Sequence, residues 1–170
     1  MVAEYEAVKE EQRARIGFRD NLLYATLVSV AAVLTAAFKG DGRTDVLLLL
    51  PPVCVLLGWT YLINDEKISA IGRYVRKDLG PRLGAAAGTR DPVFGWETAH
   101  RSDPRRASRK LLQLGVDQLA FCIPSFVSLI VYWVSGPTHA ALVVASAFEA
   151  VAVAVLAVQI VLYADLKSGP

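Results

Sequence analysis

Apolar positions in this chain are gathered into long blocks that are separated by polar ones. No charged side chain occurs in residues 21–38, 46–63 or 118–148. A helix needs about 20 mostly apolar residues to cross the hydrocarbon layer of a membrane, with a working range of roughly 17 to 25. Segments of this kind are Leu22–Phe38, Val46–Ile63, Leu114–Ser135 and Ala140–Tyr163. The pattern predicts an all-α polytopic membrane protein with four transmembrane helices.

The connections within each half of the chain are short and polar. Residues 39–45 carry two glycines and four charged residues, and residues 136–139 join the last two spans. Connections of this length make each pair of spans an antiparallel hairpin. Prolines inside the second and third spans predict kinks or loosened turns, because proline lacks the N–H donor and clashes with the preceding turn. These prolines are Pro51, Pro52 and Pro124.

The overall composition is close to that of soluble domains, so the placement of apolar and charged residues along the chain decides the class of protein. The 170 residues are 54% hydrophobic and 20% charged, whereas soluble domains are about half apolar with roughly 25% charged residues. The uncharged blocks exclude an ordinary soluble globule and a disordered chain. The spans use about half of the chain, so we expect one membrane domain, residues 1–170, with no separate catalytic domain.

Lysine and arginine are distributed unequally among the connections. Residues 1–21, 64–113 and 164–170 hold 16 of the 18, and the two short connections hold the other two. Basic residues near span ends are retained in the cytoplasm. The count predicts cytoplasmic termini, a cytoplasmic helix in 1–21, and a cytoplasmic helix and loop in 64–113, close to anionic lipid headgroups.

Helical spacing extends the first two spans beyond the membrane. Residues 3–20 contain good helix formers, and one face gathers Tyr5, Val8, Gln12, Ile16 and Arg19. A second apolar face follows the second span at Ile68, Ile71, Tyr74, Val75 and Leu79. We expect Gly80 and Pro81 to end this helix and residues 80–92 to form a mobile connector.

Glu149 is the one charged residue deep within a span. A charge near the bilayer centre is costly, so this carboxyl is expected to face the bundle, find a donor or be protonated. Three roles stay open: a hydrogen bond between helices, ion or proton passage, and ligand binding. The expected partners are Ser125, Ser128, Tyr24, Thr26, Ser29 or Glu149 of another subunit.

Three further polar residues lie near the cytoplasmic ends of the last two spans. Asp117 and Gln118 lie near the cytoplasmic end of the third span and Gln159 near that of the fourth, so we expect that Asp117 and Gln159 can meet. The fourth span is rich in alanine, which allows close helix approach and favours a homo-oligomer.

A cytoplasmic cluster is predicted from Arg73, Tyr74, Trp96 and Glu97, with Arg73 meeting Glu97 and the two rings packing together. It either fixes the loop under the membrane or forms a recognition surface for a protein partner. These residues also belong to a pattern: Ile68, Ile71, Gly72, Arg73, Tyr74 and Val75, followed by Gly95, Trp96 and Glu97.

With Tyr5 and Glu6 near the start and a proline in the second span, this pattern resembles small bacterial integral membrane proteins of unknown function. The resemblance covers roughly residues 4–97 and implies no activity. A looser likeness links the chain to membrane effector modules of bacterial conflict systems.

Catalysis is not expected, because no phosphate loop, metal-binding motif or nucleophile motif occurs. Cys54 and Cys122 lie in apolar runs without a paired motif. We expect no cofactor, no metal and no nucleic-acid partner. The sequence favours a bacterial inner-membrane scaffold or assembly protein, with a homo-oligomeric ion-conducting channel or membrane-disrupting effector as the alternative.

Overall fold

The computed structural model describes residues 2–39, 44–89, 93, 106–136 and 139–164. Helix α1 runs over Val2–Lys39. Helix α2 runs over Thr44–Ala87, as a 3-10 turn (Thr44–Leu49), an α-helix (Leu50–Tyr74), a π turn (Val75–Leu79) and a last α segment (Gly80–Ala87). Helix α3 comprises Arg106–Asp117, a π turn at Gln118–Cys122, and Ile123–Val134, and α4 is Ala140–Tyr163. The described part is therefore all-helical, and four helices are long and apolar enough to cross a membrane.

Pro124 coincides with a loosened turn, as the sequence predicts, whereas Pro51 and Pro52 follow a tighter 3-10 turn. Pro51 and Pro52 lie at the start of the α-helical part of α2, directly after the 3-10 turn. Pro124 lies directly after the π turn of α3, where Ile123 donates its N–H to the carbonyl of Gln118. A widened turn relieves the clash between a proline ring and the carbonyl of the preceding turn.

The expected end of α2 at Gly80 and Pro81 is wrong. The π turn Val75–Leu79 precedes Pro81, and the N–H of Gly80 bonds to the carbonyl of Val75. This wider turn admits the proline, so the helix continues to Ala87 and residues 80–87 are not a connector. Gly88 ends the helix with φ 64°, a left-handed conformation that glycine adopts without steric cost.

The centre of the bundle is a cluster from all four long helices. It contains Leu22, Tyr61, Ala120, Phe121, Cys122, Val153, Leu156 and Ile160. Gly58 allows the close approach, because a Cβ there would lie 2.8 Å from Leu156 Cδ2 and 3.0 Å from Phe121 Cγ. A second cluster, Leu48, Leu129 and Tyr132, contains no residue of α1. Beyond Thr26, α1 has no buried residue.

Most apolar side chains of α1 and α4 lie on the outside of the bundle. Only 11% of the apolar window of α1 and 17% of that of α4 are buried inside the structure. Large exposed apolar surfaces are unfavourable in water. Exposed apolar surface of this extent is typical of helices that cross a lipid bilayer, which agrees with the membrane class predicted from the sequence.

Candidate functional site

Polar contacts join α1 and α2 beyond the apolar segments. The Tyr74 hydroxyl donates to Glu4 Oε1 at 2.6 Å, and Gln12 Nε2 donates to the carbonyl of Ile68 at 3.3 Å. The contacts run in opposite directions along the two helices. Glu4, early in α1, meets Tyr74, whereas Gln12, later in α1, meets the earlier residue Ile68 of α2. The two helices are thereby tied together over several turns.

Arg15 gives another of these contacts. Its Nη1 donates to Asn64 Oδ1 at 3.3 Å, while its Nη2 is 2.6 Å from Glu11 Oε1. Asn64 in turn donates from Nδ2 to the carbonyl of Thr60 at 2.8 Å, so its amide bridges two helices. The contact aligns α1 with the position at which α2 leaves its apolar span.

Arg19 is the hub of the site. Its Nη1 donates to Asp65 Oδ1 at 2.9 Å, its Nη2 is 3.3 Å from Asp20 Oδ1, and its Cζ lies 5.9 Å from the centre of the Tyr61 ring. Burial alone lowers the pKa of this guanidinium, but the bond to Asp65 and the neighbouring groups outweigh it and raise the pKa above its ordinary value. Arg19 therefore stays charged and paired.

Helix α3 joins this network through Asp65, Tyr61 and their partners. Gln113 Nε2 donates to Asp65 Oδ1 at 3.4 Å, and Tyr61, Gln113 and Asp117 line one small cavity. The Tyr61 ring also packs on Phe121, with centroids 5.1 Å apart. We name the set the polar belt: Arg15, Arg19, Tyr61, Asn64, Asp65, Gln113 and Asp117.

Asp117 is the most buried charged member of the belt. Asp117 is only 8% exposed, and its Oδ1 has no hydrogen-bond partner among the described residues. An adjoining cavity of about 20 Å³ is lined by Tyr61, Asp65, Lys110 and Asp117, among others. This volume admits a single water and no organic substrate.

The structure joins α3 and α4 through Gln118. Its Nε2 donates to the carbonyl of Ala157 at 2.9 Å. Gln159 is half-buried, next to Ile160, which lines the same cavity as Asp117. Asp117 shares that cavity with Tyr61 of α2.

Glu149 lies half-buried on α4, and its Oε2 is a buried atom without a hydrogen bond among the described residues. The hydroxyls expected to meet it donate within their own helices. Thr26 bonds to the Leu22 carbonyl, Ser29 to Ala25, Ser125 to Phe121 and Ser128 to Ser125. The Tyr24 side chain is exposed.

The predicted cytoplasmic cluster is described only in part. Arg73 and Tyr74 are exposed residues of α2, while Trp96 and Glu97 lie outside the described residues. The described partner of Tyr74 is Glu4. This bond favours the neutral phenol, so the pKa of Tyr74 lies above its ordinary value.

Sequence reasoning missed the hub, Arg19 with Asp65, as a site. Helical spacing correctly placed Arg19 on the face of α1 that meets α2. It placed Ile16 on the same face, but Ile16 is 37% exposed. Arg15 contacts Asn64 of α2 instead. The available signal was a charged residue at each span boundary, Arg19 before the first and Asp65 after the second. Opposite charges at one membrane level are candidates for a pair.

The polar belt can hold three helices in register. Charge pairs and hydrogen bonds join Arg15, Arg19, Asn64, Asp65 and Gln113 across α1, α2 and α3. No group of three metal-ligating side chains occurs within the described ranges.

Comparisons of the chain with protein-family models, curated proteins and solved structures found no match. The resemblance of residues 4–97 to small bacterial membrane proteins stays a prediction.

Proposed function

We propose that this chain is a four-span membrane protein that acts as a scaffold or assembly protein rather than as a catalyst. Its spans form two antiparallel hairpins, with both termini and residues 64–113 in the cytoplasm of a bacterial cell. The antiparallel arrangement of the contacts supports the first hairpin. Glu4 bonds to Tyr74, and Arg19, later in α1, pairs with Asp65, earlier in α2. The unequal distribution of basic residues supports the orientation.

The observation that carries this proposal is the paired extension of α1 and α2 beyond the spans. Residues 2–20 of α1 correspond to about 27 Å of helix at 1.5 Å per residue, and side-chain bonds tie them to α2. A single helix of that length is marginal in water, whereas a packed pair is held in place. The pair is a preorganised platform, which reduces the ordering cost of binding a partner.

The outer surface of this platform is charged. Glu6, Glu10, Arg13, Arg73 and Lys77 are exposed there. Mixed charge of this kind confers specificity and rate more than affinity. The platform suits a soluble protein partner, while its basic residues near the membrane also suit anionic headgroups.

Photocrosslinking in native membranes tests the scaffold. A photoreactive residue at Glu6 or Glu10 is expected to give an adduct of one defined mass, and Arg73→Glu in the same chain is expected to abolish it. The matched control is a photoreactive residue at Val155, which is exposed on α4 within a span. Absence of adducts at both platform positions, or the same adduct at Val155, contradicts the proposal.

Glu149 favours a second candidate, a homo-oligomeric ion-conducting channel or membrane-disrupting effector. Its Oε2 lacks a hydrogen bond within the described part of the chain, and exposed alanines on the same helix permit close packing with another copy. Several Glu149 side chains around one axis form a ring that attracts cations. Mass measurement in nanodiscs together with ion flux into vesicles tests this: Glu149→Gln is expected to preserve assembly and alter flux, and unchanged flux removes the candidate.

A further inference from the structure

An apolar groove runs along the outside of the bundle between α1 and α3. Its volume is about 520 Å³, within the usual range of ligand sites. One wall carries Val30 to Phe38 of α1, and the other carries Leu119 to Val131 of α3, with the start of α2 as the floor. Its lining is almost entirely hydrocarbon.

The groove exists because α1 separates from α3 in this half of the spans. Thr26 is the last buried residue of α1, and the core cluster at this end contains no α1 side chain. Leu34 of α1 and Val127 of α3 both line this space, which no part of the described bundle fills. Side chains that line an open groove lack contacts on one side, and an apolar occupant restores that contact energy.

We propose that this groove holds one acyl chain of a phospholipid whose phosphate lies beside Lys39. The proposal goes beyond the scaffold function and does not depend on it. It requires only that α1, α2 and α3 cross the lipid bilayer.

The length of the groove suits an extended acyl chain. Val30 to Phe38 rises about 12 Å at 1.5 Å per residue, which is most of the roughly 15 Å depth of one leaflet. The groove is therefore long enough to hold most of an acyl chain that lies in one leaflet.

An exposed lysine lies at the mouth of the groove, next to a lining residue. Phe38, which lines the groove, is 83% exposed, and Lys39 follows it as the exposed last residue of α1. A lysine at a span end extends its ammonium into the headgroup layer. There it pairs with phosphate as a point charge.

Native mass spectrometry tests the site. The full chain is placed in nanodiscs of phosphatidylethanolamine and phosphatidylglycerol, and then transferred to a gentle detergent. Val127→Trp fills the groove, and Val155→Trp is the matched control, because Val155 has similar exposure, 46% against 52% for Val127, and lies outside the groove. We expect one retained phospholipid per protomer in the wild type and in the control, and an about tenfold lower retained fraction in Val127→Trp.

The phosphate contact has its own variants. Lys39→Gln is expected to lower retention while Lys39→Arg preserves it, because only the arginine keeps a cation at the mouth. Leu34→Trp fills the groove from α1, so the test stands even where Val127→Trp fails to fold, as judged by size exclusion and circular dichroism.

Three results overturn the proposal. The first is equal lipid retention in the wild type and both groove-filling variants. The second is equal loss in Val155→Trp. The third is a change in the number of protomers with unchanged lipid, which makes the groove an interface between copies of the chain.

Discussion

Arg19 lies just before the first span and Asp65 just after the second, and the two form an ion pair with 2.9 Å between Nη1 and Oδ1. Their side chains are 24% and 20% exposed, so water screens the pair less than it screens a surface pair. The Asp65 oxygen also accepts from Gln113 on α3. One carboxylate thus connects three helices at the level where their apolar segments end.

Breaking this pair is expected to destabilise the bundle. Arg19→Gln and Asp65→Asn each remove one charge and leave the other half-buried without its partner, so each is expected to lower the midpoint of thermal unfolding in detergent. In a double-mutant cycle the coupling is expected to be about 0.5 to 2 kcal/mol. Additive effects of the two substitutions contradict a direct pair.

Tyr61→Phe tests the Tyr61 hydroxyl, which shares a small cavity with Asp117. The phenylalanine ring keeps the packing on Phe121 but removes a polar group from beside the buried carboxylate, and a loss of this kind costs about 1 to 3 kcal/mol. Adding Asp117→Asn to this variant is expected to restore part of the loss, because it removes an uncompensated charge. Thermal unfolding in detergent measures both changes, and no recovery in the double variant contradicts the proposed cause.

Gly58→Ala tests the close approach at the centre of the bundle. The new Cβ would lie 2.8 Å from Leu156 Cδ2 and 3.1 Å from Phe121 Cβ, so helices must move apart at a cost of about 1 to 3 kcal/mol. Gly115→Ala is the control, since nothing lies within 4 Å of its Cβ position, and alanine is about 1 kcal/mol better than glycine in a helix. Equal unfolding midpoints for the two variants would contradict this packing.

The Tyr74–Glu4 bond predicts an alkaline transition in the platform. The hydrogen bond to Glu4 favours the neutral phenol and raises the pKa of Tyr74 above its ordinary value of 10.0. The bond therefore contributes fully to the stability of the platform below pH 10. This contribution is lost as the pH rises through the raised pKa of Tyr74. Spin labels at Ala7→Cys and Lys77→Cys are expected to give a narrow distance distribution at neutral pH that broadens at alkaline pH.

Tyr74→Phe is the control for that transition. Without the hydroxyl, the distribution is expected to be broader already at neutral pH and to show a smaller alkaline change. A transition of the same size in this variant would assign the effect to other groups.

The sequence predicted the large features because lipid imposes simple requirements. The uncharged blocks give the positions of the spans, and helical spacing correctly places Val75 and Leu79 in the buried face of α2. Pro124 follows a loosened π turn, as expected from the missing N–H donor.

Features that depend on tertiary pairing were not predictable from spacing. Arg19 and Asp65 are 46 positions apart, and nothing in either local pattern specifies the other. Pro81 fails as a helix stop because a π turn precedes it, and helix type is not visible in hydrophobic periodicity. Glu149 is conspicuous as a lone charge, but only the packing shows that its Oε2 is buried.

Cysteine labelling of oriented vesicles tests the central claim most directly. Glu6→Cys, Lys77→Cys, Lys39→Cys and His139→Cys introduce exposed thiols, while the native Cys54 and Cys122 are buried. With a membrane-impermeant maleimide, residues 6 and 77 are expected to react only in inside-out vesicles, and residues 39 and 139 only in right-side-out vesicles. Reaction of all four positions from the same side would contradict a chain that crosses the membrane four times.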